Sequence, residues 1–325
     1  MGYLYLVLAA LFFSLQFIFS KKYQTLAPGG GACSSGFFMY LQYLWVLVIW
    51  TAVYGARVDL STPQTFLFAG IYMAASALCT LSSLAALNTC KLAVVSLFSL
   101  IGGQMLPFFY GLIFTGAGKT TGILSWLGFA ALLATCVISL PREKADGERT
   151  GKKWRAAFLC MGAFVGNGMV SVATDMNAKA IAAGRSTSEG FMIVNAIFGV
   201  LIGLALILSN RRALRPLLSG NGTALPQTDR EQASAVSRKL VIAVILCAGA
   251  YAVLNGLGNV FSMLCGASEG MQSTVQYPVL NALILIMMPL IGRVVFKEKL
   301  TARILISSGL AAIGVLLFMA DTLLM

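Results

Sequence analysis

The chain has 325 residues, of which 58% are hydrophobic and 10% charged, and its mean hydropathy is +0.86. This composition lies far outside the range of soluble globular proteins and predicts an integral membrane protein embedded in a lipid bilayer. The formal net charge of +12 falls mostly between apolar stretches, so it indicates membrane topology and not nucleic-acid binding.

Ten apolar stretches have the length of about 17 to 25 residues that a helix needs to cross a bilayer. Lipid leaves helices as the spanning structure for runs this long. The N-terminal residues lack the basic segment of a signal peptide, so the first run is predicted to be retained. The predicted spans are Tyr3–Ser20, Gly36–Tyr54, Phe66–Leu87, Leu92–Phe114, Ile123–Leu140, Ala156–Ala173, Phe191–Leu208, Leu240–Leu264, Gly270–Ile291 and Ile304–Ala320.

The second five stretches resemble the first five. When Ile123 is aligned with Ile304, Gly128-Phe129-Ala130-Ala131 meets Gly309-Leu310-Ala311-Ala312, Gly111 meets Gly292 and Thr120 meets Thr301. With small shifts upstream, Gln42 comes within one residue of Asn195, and Gln16 within one residue of Asn167. Chance similarity between apolar helices is the alternative for these upstream matches.

The fold class predicted from this pattern is an all-α membrane protein with ten transmembrane helices in two inverted five-helix repeats. Halves with an odd number of spans enter the membrane from opposite sides, which relates them by an axis in the membrane plane. The predicted units are a first repeat at 1–140, a basic linker at 141–155 and a second repeat at 156–325. The second repeat is expected to contain a flexible basic loop at 209–239.

Large neutral polar side chains fall in the first four spans of each half and are absent from the fifth and tenth. Because such groups are costly in lipid, we expect them to face the bundle interior or a wet cavity. Taken singly, each could equally make an interhelical hydrogen bond. They are Gln16, Gln42, Asn88, Gln104, Asn167, Asn195, Asn255, Asn259, Gln272, Gln276, Tyr277 and Asn281.

Two prolines are predicted to break or bend spans. Pro107 and Pro278 lie in the fourth and ninth spans, and proline removes a backbone donor, so carbonyls near it become free for a ligand. Paired breaks in corresponding segments typically mark a transporter site. Gly166-Asn167-Gly168 could likewise weaken its helix locally. Alternatively, Gly162-xxx-Gly166 and Gly199-xxx-Gly203 could be close-packing faces between helices.

Charged residues are absent from the centres of the spans. Asp175, Glu189 and Glu269 are the acids nearest the expected cavity mouths, and each could accept a coupling proton or be a solvated helix end. Most of the 23 Lys and Arg residues lie in the loops after odd-numbered spans. The loops on the other side of the membrane contain only Arg57, Lys119, Lys179 and Arg185. The positive-inside rule therefore favours both termini outside.

Several classes of enzyme lack their essential group here. There are no histidines, which excludes histidine-dependent hydrolases and His-ligated metal or haem sites. There is no Walker-type phosphate loop, since Ala117 follows Gly116 where a lysine would be required. The seven cysteines contain no Cys-x-x-Cys pair. We therefore predict no enzymatic activity, no cofactor and no metal.

The turn before the last span carries a family resemblance. The segment Gly292-Arg293-Val294-Val295-Phe296-Lys297-Glu298-Lys299-Leu300-Thr301, which leads to Gly309 and Gly314, and the five-plus-five arrangement resemble the drug/metabolite transporter superfamily, ten-span type with two EamA-like domains. That family commonly has Gly-Glu-Arg/Lys-Leu-Thr/Ser in this turn. Lys297 stands where the glycine would be, and Gly116–Thr120 of the first half lacks the glutamate.

The resemblance implies a secondary transporter with a central cavity between the halves, both termini inside and the fifth and tenth spans peripheral. The expected function is export or exchange of small organic metabolites such as amino acids by alternating access, as a monomer or homodimer in a bacterial cytoplasmic membrane. Alternatives are a lipid-linked sugar flippase, a multidrug exporter or a non-transporting scaffold. The substrate-binding candidates are Gln16, Gln42, Gln104, Asn167, Asn195, Asn259, Gln276, Tyr277 and Asn281.

Overall fold

The computed structural model describes residues 2–26, 32–55, 58–60, 62–88, 90–114, 122–139, 150–209, 230–266, 273–299 and 301–324. Within these ranges the chain is helical with short turns and contains no strand, which confirms the predicted all-α class. The helices are α1 Gly2–Leu26, α2 Ala32–Tyr54, α3 Pro63–Ala86, α4 Leu92–Phe114, α5 Ile123–Ser139, α6 Thr150–Ala182, α7 Ser188–Ser209, α8 Arg230–Gly266, α9 Ser273–Phe296 and α10 Ala302–Leu324.

Nine of the helices in the described ranges are long and apolar enough to cross a membrane, consistent with a multi-pass membrane protein. The remaining one, α5, is also apolar but has 17 residues. At 1.5 Å per residue that is about 26 Å, a little short of a hydrocarbon core about 30 Å thick.

Two helices begin before the apolar runs that predicted them. α6 begins at Thr150, inside the predicted basic linker, and α8 begins at Arg230, inside the predicted flexible loop. Residues 150–155 and 230–239 are therefore helical, and both helices begin before the predicted apolar spans. Lys, Arg, Glu, Gln and Ala are good helix formers, so both helices continue beyond their apolar runs without needing lipid contact.

The predicted break at Pro107 does not divide its helix, because α4 runs from Leu92 to Phe114 with this proline inside. Proline leaves the carbonyl four residues earlier, that of Gly103, without its usual helical donor. Membrane helices tolerate such a loss when neighbouring helices pack around it. Here α6 packs along α4, and Gly103 faces the Asn167 side chain.

The helices pair mainly across the two halves of the chain. α1 packs on α8 and α9, while α6 packs on α3 and α4. α2 packs on α7 and α8, and α3 also contacts α7. α5 packs on α10, which in turn lies against α9. The bundle interior is therefore built from α1 to α4 together with α6 to α9, and α5 and α10 form a pair of their own.

The glycine pairs on α6 and α7 are close-packing faces, the second of the two readings that the sequence left open. A Cβ placed on Gly166 would lie 2.5 Å from the backbone nitrogen of Cys79 on α3. A Cβ on Gly203 would lie 2.6 Å from the backbone nitrogen of Tyr40 on α2. Backbones this close require residues without a side chain.

Glu298 joins three helices at the end of the bundle where α9 stops. Its carboxylate forms an ion pair with Lys21 of α1 and accepts a hydrogen bond of 3.2 Å from the backbone N–H of Leu92 at the start of α4. Lys297 just before it has φ +52°, a left-handed conformation that favours glycine. Lys21 also lies 5.0 Å from the centre of the Phe296 ring.

Candidate functional site

A cavity of about 270 Å³ lies among α1, α2, α3, α4, α6, α7 and α8. Its volume is close to the lower end of the usual range for small-molecule pockets. The side chains that line it include five large amides, Gln16, Gln42, Asn167, Asn195 and Asn259, all predicted from the sequence. Asn255 also lines it. No described residue of α5 or α10 lines the cavity, as expected for peripheral helices.

One wall of the cavity is a chain of amides between α1 and α8. The Asn255 amide nitrogen donates to Gln16 Oε1 at 2.7 Å, and the Asn259 amide nitrogen donates to Asn255 Oδ1 at 3.1 Å. Asn259 also donates to the Asn255 carbonyl oxygen at 2.9 Å. Because the two asparagines are four residues apart, they lie one above the other on the same face of α8. This chain orients neutral dipoles along the cavity wall.

The opposite wall is fixed by Asn167 of α6. Its amide nitrogen donates to the Ser99 carbonyl oxygen of α4 at 2.8 Å. Ser99 in turn lies 3.7 Å from the Cys79 sulfur of α3, which also lines the cavity. Asn167 therefore ties α6 to α4 while its side chain faces the cavity.

Gln42 and Asn195 differ from the other cavity amides because each has a buried side-chain oxygen without a partner among the described residues. Gln42 on α2 is 7% exposed and Asn195 on α7 is 6% exposed. Within the described residues neither Gln42 Oε1 nor Asn195 Oδ1 accepts a hydrogen bond, although both atoms are buried. Burying such an acceptor unpaired costs about 1–3 kcal/mol. The repeat alignment also brings these two residues to nearly equivalent positions, as it does Gln16 and Asn167.

Aromatic and hydroxyl side chains complete the lining, and the sequence analysis missed most of them. Tyr43 hydrogen-bonds Ser76 across α2 and α3 at 2.7 Å, and Tyr72 of α3 also lines the cavity. Ser76, Thr80 and Ser83 are spaced i, i+4, i+7, which is one face of a helix, and this pattern could have identified them. The other lining residues with rings or hydroxyls are Phe17, Ser20, Phe38, Trp50, Ser99, Thr174, Phe191 and Tyr251.

Several predicted site residues lie away from this cavity or outside the described residues. Gln104 and Asn281 are half-buried but do not line it, and Asn88 is exposed at the end of α3. Gln276, Tyr277 and Pro278 belong to α9, but their side chains lie outside the described residues, as do Glu269 and Gln272 entirely.

The described lining contains no Asp, Glu, Lys or Arg. Asp175 is on the outer surface of α6, where it pairs with Lys179 at 2.6 Å, with the two side chains 45% and 57% exposed. Glu189 is in the first turn of α7, where it accepts from the Ser188 hydroxyl at 3.0 Å. The structure does not bring either acid into the cavity. Among the described residues, no three His, Cys, Asp or Glu side chains cluster as a metal site would require.

The cavity is therefore a neutral, hydrogen-bonding compartment with aromatic walls, suited to a small solute without a strong net charge. No family model matches this chain, and no curated protein is similar to it in sequence.

Proposed function

We propose that this protein is a secondary active transporter that exports or exchanges a small organic solute by alternating access. The observation that carries the proposal is the cavity of about 270 Å³ between helices of both halves, lined by neutral polar side chains. A site at the interface between two repeats is the arrangement from which alternating access works, because one half can rock against the other around a fixed solute.

We also propose the inverted repeat, α1–α5 against α6–α10. Helix packing supports it: exchanging each helix for its counterpart converts the α1–α8 pair into α6–α3, and the α2–α8 pair into α7–α3. The pairs α2–α7, α4–α9 and α5–α10 convert into themselves. This is the behaviour expected of two halves related by a two-fold axis.

Membership of the drug/metabolite transporter superfamily is a further part of the proposal. Lys297, which stands where that family has a glycine, has φ +52°, so the backbone of this turn has the conformation that glycine favours. The fifth helix of each half is peripheral, as that family implies. The basic loops support both termini outside, whereas the family resemblance implies both inside; labelling of an added terminal cysteine from each side of the membrane decides between them.

The lining favours a neutral or zwitterionic metabolite, such as an amino acid, over a phosphate. A phosphate or polycarboxylate needs lysine or arginine partners when it leaves water, and none lines the described cavity. Amide and hydroxyl groups can replace the hydration of smaller polar solutes.

The test is exchange across proteoliposomes. Vesicles containing the purified protein are preloaded with an unlabelled amino acid or its amide, and entry of the labelled compound is followed with and without a proton gradient. We expect saturable exchange that falls at least tenfold in a Gln42→Met, Asn195→Leu double variant. Gln24→Met is the matched control, because Gln24 is also buried with an unpaired amide but does not line the cavity.

Exchange in the natural protein that persists in the double variant would place the path elsewhere. No exchange by folded protein, together with scrambling of lipid-linked sugars, would contradict the proposal and favour a flippase. Saturable transport of sugar phosphates would contradict the substrate class. A protein that moves none of these compounds, and whose biological effect survives the double variant, would be a scaffold.

A further inference from the structure

The two unpaired amide oxygens define what the cavity can recognise. Gln42 Oε1 and Asn195 Oδ1 are buried, belong to cavity-lining side chains and accept no hydrogen bond within the described residues. An amide oxygen accepts hydrogen bonds and cannot donate them. A solute that satisfies these atoms must therefore bring donors, and each satisfied oxygen recovers the cost of its desolvation.

The two oxygens belong to residues at different depths. α2 and α7 are antiparallel, since Tyr43 lies against Gly199 and Tyr40 lies against Gly203. Asn195 is one helical turn before Gly199, which places it roughly 7 Å further along the axis than Gln42 at about 1.5 Å per residue. An organic molecule with two donor groups can bridge positions separated in this way.

The charge of the donors is limited by the rest of the lining. A protonated amine gives the strongest hydrogen bond to an amide oxygen, and its charge is further stabilised by the faces of aromatic rings. Phe38, Trp50 and Tyr251 are among the aromatic residues that line the cavity. The described lining has no carboxylate to pair with an ammonium group and no lysine or arginine to pair with an anion. Amide oxygens and aromatic faces alone therefore stabilise the charge, which limits the solute to a single positive charge.

We propose that the solute is an organic monoamine with a second, neutral donor: an ammonium group donates to one of the two amide oxygens, and an amide N–H or hydroxyl donates to the other. Its apolar body packs against the aromatic side chains. This inference rests on the proposed function for its biological meaning, but it concerns binding and is tested without transport.

The experiment measures binding to the purified full-length protein in detergent by equilibrium dialysis. The probes are phenylalaninamide, its N-trimethylated form, which has no ammonium N–H, and 3-phenylpropanoate, which has no amine. We expect phenylalaninamide to bind at least tenfold more tightly than either of the others. Loss of a hydrogen bond to a charged group corresponds to roughly a tenfold to hundredfold change in affinity.

Three variants connect this selectivity to the two oxygens. Gln42→Met and Asn195→Leu each remove one acceptor at similar volume and should weaken phenylalaninamide binding roughly tenfold or more. Gln42→Glu keeps an acceptor and should bind at least as tightly as the natural protein, which a merely structural role would not produce. Gln24→Met should leave affinity unchanged, because Gln24 does not line the cavity.

Equal affinity for the amide and its trimethylated form, a preference for 3-phenylpropanoate, or no binding of any probe by folded protein would each overturn the proposal. Binding with the expected selectivity but no movement across proteoliposomes would uphold it and would instead contradict the transport function. Transport of acids in preference to amines would uphold the transport function and contradict the proposal that the solute is a monoamine.

Discussion

Replacing Gly102 by alanine should push two helices apart. A Cβ at this position of α4 would lie 2.0 Å from the carbonyl oxygen, 2.6 Å from the carbonyl carbon and 2.7 Å from the Cα of Phe164 on α6. All three atoms are backbone, so no side-chain rotation relieves the overlap. Ordinary contact begins near 3.4 Å, and the helices must therefore separate by more than 1 Å.

The size of the effect follows from this shift. Overpacking of a well-packed core costs about 1–3 kcal/mol. A separation of about 1.4 Å would lengthen the 2.8 Å hydrogen bond from Asn167 to the Ser99 carbonyl to about 4.2 Å, beyond hydrogen-bond range. Such a bond contributes about 0.6 kcal/mol in a membrane protein. The helix preference of alanine offsets about 0.5–1 kcal/mol, which leaves a net loss of about 1–3 kcal/mol.

The assay is thermal unfolding in detergent. Unfolding is monitored by the reaction of buried cysteines, such as Cys160 and Cys265, with a fluorogenic thiol reagent. We expect the Tm to fall by roughly 2–12 °C, since about 1 kcal/mol corresponds to 2–4 °C in proteins approaching this size. The matched control is Gly309→Ala in α10, where a Cβ would meet nothing within 4 Å. If both variants unfold at the same temperature, the close α4–α6 contact is wrong.

Three further changes test the turns and helix ends. Lys297→Gly should stabilise the protein by about 1 kcal/mol, because φ +52° costs roughly that much for a residue with a side chain. Glu298→Gln should destabilise it by about 2–3 kcal/mol by leaving the largely buried Lys21 ammonium unpaired, and adding Lys21→Met should recover part of the loss. Asp321→Ala should cost about 1–2 kcal/mol, because its carboxylate accepts from the Gly122 N–H and the Ser125 hydroxyl at the start of α5.

The changes at Lys297 and Asp321 each have a control variant in the same chain, and the change at Glu298 is tested by its double variant with Lys21. All of them are measured by the same unfolding assay. Lys299 does not have a left-handed backbone conformation, so Lys299→Gly should not stabilise the protein. Asp175→Ala removes an exposed i,i+4 pair and should change stability by no more than about 0.5 kcal/mol. Equal effects for Asp175→Ala and Asp321→Ala would contradict the capping role, and additive losses in the Lys21 and Glu298 variants would contradict their coupling.

The helices were largely predictable because length and apolarity determine which segments can span a membrane. The limits of α4, Leu92–Phe114, coincide with the predicted span. The early starts of α6 and α8 were missed because charged residues outside the lipid end an apolar run without ending a helix. Hydropathy reports the solvent around a segment and not its backbone conformation.

The cavity was predictable only in part. The repeat alignment identified Gln42 and Asn195 as a pair, and both line the cavity. Gln104 and Asn281 were chosen for being polar within spans, but polarity alone does not say which face of a helix meets which neighbour. Tyr72 and Tyr251 were missed because an aromatic residue in an apolar run looks the same whether it faces lipid or a cavity.

Alternating access is tested most directly by the reactivity of Cys79, a free cysteine of the cavity lining. With the other cysteines replaced, a membrane-impermeant thiol reagent is added to either side of sealed, oriented vesicles. We expect labelling of Cys79 from both sides, and protection from both sides by a bound solute. Labelling from one side only, under all solute and gradient conditions, would contradict alternating access and would show a pocket that opens to a single face of the membrane.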